Sequence, residues 1–410
     1  MGYYEAMGVP RLHITEGMRQ FLDYPKFVGA TRMLILDTGY FFDKSWVRAA
    51  GELGWQVATV PSAITGSISR DDIAALFRTL AEFKPDFVLT SNYAGMDEAG
   101  MFAHFFNDAK IPYVSWFTDT PRMILFNRTM YVSDYAVAAT WEKAYAPHLE
   151  SYGFSHVHYM PLATDPAIFD GLPTRQPDRN LAFVGSSMLV QLAEALEKHA
   201  DLPHVVEAVE GAIRDGRVTR ESYNAGLESI LGTAFVETLD DGQQRNAELL
   251  MNYEATSQQR IELVRALIPL GIEARGDASW KSVLDNYESN LGYFDDLAPF
   301  YRSTAVNVNN TSLQMRDAVN QRVFDCPAAG GFLITDNQPD LHELFDVAQE
   351  VVTYESLPEL QDKITYYLNH PEERESIVNR ARTRVLAEHT HRHRLQSLET
   401  YLKPRFGVKG

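Results

Sequence analysis

One run constrains the fold of this chain more than any other: residues 303–353, where strand and helix signals alternate. β-branched residues from Ser303 to Val308 stop at Asn309-Asn310. A helical signal then passes through Arg322, Val323 and Phe324, Gly330-Gly331 opens a second strand over 332–335, and 351–353 reads as a third. Strands joined through helices run parallel, and a parallel sheet needs helices on both faces. The same alternation fills the N-terminal half, with strands expected at 32–37, 55–60, 86–90, 112–117, 135–140 and 157–160 and helices that include 70–83 and 98–109. Right-handed crossovers between such strands give a doubly wound α/β sheet.

A chain of 410 residues exceeds one ordinary core, and 45% hydrophobic with 22% charged residues are globular values. Two Rossmann-like domains are therefore expected. The first is residues 1–170. The second is 171–385, entered through the proline-rich stretch 165–180 and interrupted at about 190–254 by a helical insertion without a convincing strand. A terminal helix, 386–410, is expected to pack back on the first domain. The formal charge of -18 argues against a bulk nucleic-acid surface, which needs clustered Lys and Arg. Cys326 is the only cysteine, which excludes an intrachain disulfide. No segment approaches the roughly 20 apolar residues that cross a bilayer, and the N terminus carries no secretory pattern. A cytoplasmic protein is expected.

Short segments in a consistent order resemble the CgeB-like (spore maturation protein type) glycosyltransferases. In the first domain these are Lys84-Pro85-Asp86 through Gly95-Met96-Asp97, the run Pro112-Tyr113-Val114-Ser115-Trp116-Phe117-Thr118-Asp119-Thr120-Pro121, and Pro161-Leu162-Ala163-Thr164-Asp165. In the second they are Phe183-Val184-Gly185-Ser186, Arg322-Val323-Phe324-Asp325 with Pro327-Ala328-Ala329-Gly330-Gly331-Phe332, and the tail through His370-Pro371-Glu372-Glu373-Arg374 to His389-Thr390 and Arg394. The resemblance implies GT-B architecture, two Rossmann-like domains facing a cleft. It also implies a glycosyltransferase that uses a nucleotide-diphosphate sugar as donor substrate, with no cofactor and no metal.

On that resemblance Asp317 and Asp325 match the paired acids of the donor domain, with Asp325 accepting from ribose hydroxyls and Asp317 nearer the sugar or phosphate. The alternatives are a helix-surface acid and a turn residue. Arg322, three residues before Asp325, shares its helix face and is placed to grip diphosphate, or else forms an intrahelical ion pair. Gly185, Ser186 and Ser187 end the strand at 181–184, at the edge where doubly wound sheets bind ligands. Relatives carry an arginine soon after this loop, and Arg260 is the best match here, or else is a solvated helix arginine. Gly276 and Asp277, with Trp280, follow the next strand and are placed to frame the base; Gly330 and Gly331 either meet the ligand or turn the chain.

The first domain is expected to hold the acceptor, through Gly39, Tyr40 and Asn92 after strand ends. Asp97 or Asp119 is expected to serve as the base that takes the acceptor proton. Asp119 before Pro121 also reads as a turn or cap. His389, His391 and His393 spread around a helix rather than gathering on a metal. The unidentified acceptor is a protein, a glycan or a small molecule, and the insertion suits either a protein acceptor, a second subunit or packing on its own domain. Two other readings use the same fold: a nucleotide-sugar epimerase or hydrolase, and a non-catalytic nucleotide-sugar-binding or assembly protein.

Overall fold

The computed structural model describes residues 14–62, 70–97, 100–125, 132–174, 176–198, 202–285, 287–288 and 290–407. The chain forms two compact units. One contains the residues up to Pro161 together with those from His391 onward, and the other is Leu162–Thr390.

The first unit is built on six parallel strands, β1 (Arg32–Asp37), β2 (Gln56–Pro61), β3 (Phe87–Ser91), β4 (Tyr113–Phe117), β5 (Ala136–Thr140) and β6 (Val157–Tyr159), in the order β2-β1-β3-β4-β5-β6. Every residue of β3, β4 and β5 is buried, as expected for strands covered by helices on both faces. Helix Phe41–Glu52 brings Trp46 onto Trp116 of β4, with ring centroids 5.6 Å apart. Helix His391–Phe406 buries Leu395, Leu398 and Leu402 in this unit, and its His391 ring meets Phe42 and Trp116.

The second unit has five parallel strands, β7 (Arg179–Val184), β8 (Glu273–Arg275), β9 (Thr304–Asn309), β10 (Leu333–Asp336) and β11 (Val352–Tyr354), in the order β11-β10-β9-β7-β8. Its core joins Leu181, Phe183, Val306, Val308 and Ile334 to Leu360, Ile364, Ile377 and Val378 of helices Leu357–Leu368 and Pro371–Glu388. Leu162–Asp170, assigned by its prolines to the first domain and linker, belongs to this unit, because Thr164 bonds to Asp325 and Phe169 packs on Tyr293.

Between β7 and β8 the chain runs through helices and turns. Helix Asp241–Leu267 spans both regions of packing. Asp240 caps it in a reciprocal box with Gln243. Its first half contributes Leu250 and Met251 to a separate insertion core with Val205, Val209, Ile230 and Val236, while its last turns place Leu263, Val264 and Leu267 in the sheet core. Leu313, from the loop after β9, is part of the insertion core. The insertion is thereby anchored at the carboxyl edge of the sheet.

Candidate functional site

An open parallel sheet binds ligands outside the carboxyl ends of its strands, where strand order reverses. In the second unit that place is the gap between β7 and β9. Gly185-Ser186-Ser187 leaves β7 there, and Asn310 follows β9.

Two arginines converge on this gap. Arg260, on helix Asp241–Leu267, is 7% exposed and donates Nη1 to the Ser186 carbonyl at 2.8 Å, while its Nε has no hydrogen-bond partner. Arg322, half-buried at the start of helix Arg322–Ala328, donates Nε to Asn309 Oδ1 at 2.6 Å and Nη2 to the Asn310 carbonyl at 3.3 Å. Its Nη1 lies beside Gly185, 3.5 Å from where a Cβ would stand. Desolvation, and then the like charge of Arg322, lowers Arg260 to about 9; desolvation also lowers Arg322. Arg260 remains cationic at neutral pH. Among the described residues neither guanidinium has a carboxylate within ion-pair distance. Bringing two positive charges together out of water without a counter-charge is unfavourable, and a bidentate anion is the ligand that relieves it.

The β7 and β8 loops are clasped beside this gap. Asp277 accepts from Ser186 Oγ at 2.9 Å, Ser187 N at 2.5 Å, Ser187 Oγ at 2.7 Å and Ser279 N at 3.0 Å. Burial alone would raise its pKa, but these bonds to the carboxylate outweigh that and lower it. Gly276 is required by the contact, since a Cβ there would lie 2.1 Å from the Gly185 carbonyl oxygen. Trp280 is fully buried and donates to that same carbonyl at 2.9 Å. Gly276, Asp277 and Trp280 thus shape the loop carrying Ser186 and Ser187, where the sequence suggested that they frame a base.

Three other candidates are placed by the contacts around them. Asp325 is 2% exposed; it accepts from Thr164 Oγ1 at 2.7 Å and Gln321 Nε2 at 3.0 Å through one oxygen, and from the Tyr293 hydroxyl at 3.2 Å through the other. Burial pushes its carboxyl up to about 7. It makes no ion pair with Arg322, its carboxylate being held by Thr164, Gln321 and Tyr293. Asp317 lies in the loop after β9, ion-paired with the exposed neighbouring Arg316 at 2.5 Å. Gly330 and Gly331 precede β10 and so sit at the amino edge of the sheet, opposite the ligand edge. Added Cβ atoms there would lie 2.6 Å from the Leu172 backbone and 2.8 Å from Cys326 Sγ, so these glycines serve chain packing.

In the first unit the order reverses between β1 and β3. Thr38 Oγ1 and Ser91 Oγ stand 3.5 Å apart across that gap. Gly39 follows β1 with φ 76°, and Asn92 follows β3 with φ 50°, a left-handed conformation that Asn tolerates. Asn92 Nδ2 donates to Asp119 Oδ2 at 2.9 Å, and its Oδ1 accepts from Thr118 N at 2.8 Å. Desolvation and nearby Asp119 hold the Tyr40 phenol neutral. Gly39, Tyr40, Asn92 and Asp119 therefore share the carboxyl edge around this gap. Asp97 accepts from Met101 N and Phe102 N at 2.9 and 2.8 Å, in the first turn of helix Met101–Asp108.

Asp43 was not anticipated, because an acid in a helix's first turn reads as an ordinary cap. It is 4% exposed, accepts from Thr38 N at 2.8 Å, and its Oδ1 has no partner; burial raises its carboxyl to about 6. Nor did the sequence point to Asn309 and Asn310 as partners of Arg322. Their position after a strand was visible, but not the residue that would meet them.

Residues 257–400 match the family model described as glycosyl transferase-like. The chain has the GT-B fold of the solved glycosyltransferases it resembles. HepE of Anabaena, in a structure with UDP and glucose, aligns over 92% of this chain and 100% of its own, with a TM-score of 0.53 and 9% identity. The same protein with UDP-glucose aligns over 90% and 98%, with a TM-score of 0.51 and 11% identity. A sucrose-phosphate synthase from Thermosynechococcus elongatus covers 92% and 99% at a TM-score of 0.49 and 11% identity. At these identities the HepE likeness establishes the fold. No curated protein matches the chain's sequence. Among the described residues no helix is long and apolar enough to cross a membrane, and no three metal-ligating side chains gather in one place.

Proposed function

We propose that the enzyme takes its sugar from a nucleoside diphosphate sugar whose diphosphate lies in the gap between β7 and β9, held by Arg260, Arg322 and the Ser186-Ser187 loop. The observation that carries this reading is the pair of converging guanidiniums without a carboxylate partner at the strand-order reversal of the sheet. UDP is the first nucleotide to test, since HepE, of the same fold, was solved with UDP and with UDP-glucose.

The acceptor is a hydroxyl on a protein, glycan or small molecule, bound at the β1/β3 gap of the first unit. Its oxygen attacks the anomeric carbon as the bond from that carbon to the diphosphate oxygen breaks. The acceptor proton passes to Asp119, oriented by Asn92, and the charge released on the diphosphate is met by Arg260 and Arg322 without a metal. The motifs around Arg322 and Pro112 support a finer placement among CgeB-like enzymes. The lone, buried Cys326 suits a reducing cytoplasm.

Calorimetric titration with UDP tests the donor site. Arg322→Ala is expected to weaken UDP by about 10- to 100-fold, the worth of a charge-assisted hydrogen bond, with the circular dichroism spectrum unchanged. Undiminished affinity in both Arg322→Ala and Arg260→Ala refutes the assignment.

A further inference from the structure

The two arginines at the β7/β9 gap have no acid partner, yet a buried carboxylate is linked to them. β10 runs beside β9 with Thr335 opposite Asn309, so Asp336 ends its strand next to the residues that hold Arg322. Hydrogen bonds join them. Asn309 Oδ1 accepts from Arg322 Nε at 2.6 Å, Asn309 Nδ2 donates to Thr335 Oγ1 at 2.9 Å, and Thr335 Oγ1 donates to Asp336 Oδ1 at 3.2 Å. Asp336 is 6% exposed. Burial is the first cause that lowers the pKa of Arg260 and of Arg322, and the negative charge of Asp336 opposes it at both. An ionised carboxyl held out of water needs a cation beside it. Neither arginine of the gap fills that place.

The helical insertion fills it. Thr219 caps helix Arg220–Ala225 in a reciprocal box with Ser222, which fixes the chain where Arg220 emerges. Arg220 Nη2 reaches over 116 residues of sequence to Asp336 Oδ2 at 2.7 Å, and it also donates to the Thr311 carbonyl at 2.7 Å. The other donors to Asp336 are neutral: Thr311 N and Oγ1 at 3.0 and 2.9 Å on Oδ1, and Gln338 Nε2 at 2.9 Å on Oδ2. Among the described residues Arg220 makes the only ion pair of Asp336. The Asp336 side chain is 9% exposed, so this pair is screened less than one at the surface. Without the Arg220 charge, the cations left to answer Asp336 are Arg322, linked to it through Asn309 and Thr335, and Arg260.

We propose that Arg220 is a positioning residue for diphosphate binding: by engaging Asp336 it keeps Arg260 and Arg322 without an acid partner and open to the ligand. The insertion thereby supplies a charge on which the emptiness of the gap depends. The inference rests on the donor-site reading above and extends it to a residue that acts through Asp336.

Calorimetric titration of the full chain with UDP tests it in four variants. Arg220→Gln loses the charge but keeps a donor for the Thr311 carbonyl at a side chain that is 26% exposed, so the fold is expected to persist; circular dichroism checks this. Arg220→Gln should weaken UDP about fivefold or more. Arg220→Lys, which keeps the charge, should bind within about twofold of the parent, and so should Arg220→Gln/Asp336→Asn, which removes the competing acid as well. A merely structural tie between insertion and sheet would leave that double variant no better than Arg220→Gln. Asp336→Asn alone, with Arg220 intact, should bind UDP within about twofold of the parent or more tightly. Parent-like affinity in Arg220→Gln, a loss that Asp336→Asn does not reverse, or a loss of fivefold or more in Asp336→Asn alone overturns the proposal. Arg322→Ala separates the two readings. Weakened UDP there beside an unaffected Arg220→Gln leaves the donor site standing and removes only this inference, whereas undiminished affinity in both Arg322→Ala and Arg260→Ala removes both.

Discussion

Replacing Asp325 with Asn is expected to alter how stability depends on pH. Burial, opposed by bonds from Thr164, Gln321 and Tyr293, raises this carboxyl from 3.8 to about 7. The folded state therefore keeps a proton over a range in which the unfolded chain has released it. Stability contributed by Asp325 is complete below pH ~4, declines as pH rises toward ~7, and is lost above that. At ~1.36 kcal/mol per pH unit the loss between pH 5 and pH 8 is about 3 kcal/mol. Asn cannot titrate, and it replaces one acceptor oxygen by a donor, leaving a donor among Thr164, Gln321 and Tyr293 unpaired at a cost of about 1–3 kcal/mol. The variant should be less stable than the parent at pH 5 and close to it at pH 8. Thermal unfolding at pH 5, 6.5 and 8 measures the gap, which should shrink by roughly 6–12 °C across the series for a unit of this size. A gap that stays constant with pH would show that Asp325 is ionised in the folded state and refute the reasoning.

Gly276→Ala should lose UDP binding together with several degrees of thermal stability, since its Cβ would collide with the Gly185 carbonyl and only backbone movement relieves a contact at 2.1 Å. Asp97→Ala should cost about 1 kcal/mol by uncapping its helix and leave kcat intact. Asp119→Asn should lower kcat by roughly 10²–10⁴ with the donor Kd unchanged, and comparable kcat losses in the two variants would contradict the separation of roles. Asp43, raised to about 6 by burial, should make the first unit lose stability as pH rises from ~4 to ~6; Asp43→Asn should flatten that slope in denaturant titrations.

The sheets were legible in the sequence because strand and helix periodicities are local. The expected strand at 32–37 and helix at 70–83 match the observed elements, and the alternation implied parallel sheets with a ligand edge at Gly185-Ser186. Even the edge occupied by Gly330-Gly331 follows from local order, for residues that precede a parallel strand lie away from the ligand end. Three-dimensional packing decided the rest. Arg260 reaches Ser186 across 74 residues of chain, a contact that no local spacing encodes. Asp325 looks from its helix position like a partner of Arg322. Its carboxylate is held instead by Thr164 and Tyr293, more than a hundred and some thirty residues before it in the chain. Residue type and strand order pointed to the β7/β9 gap as a ligand edge; which charges are left unpaired there depends on long-range contacts, because a side chain's partner is set by the elements packed around it.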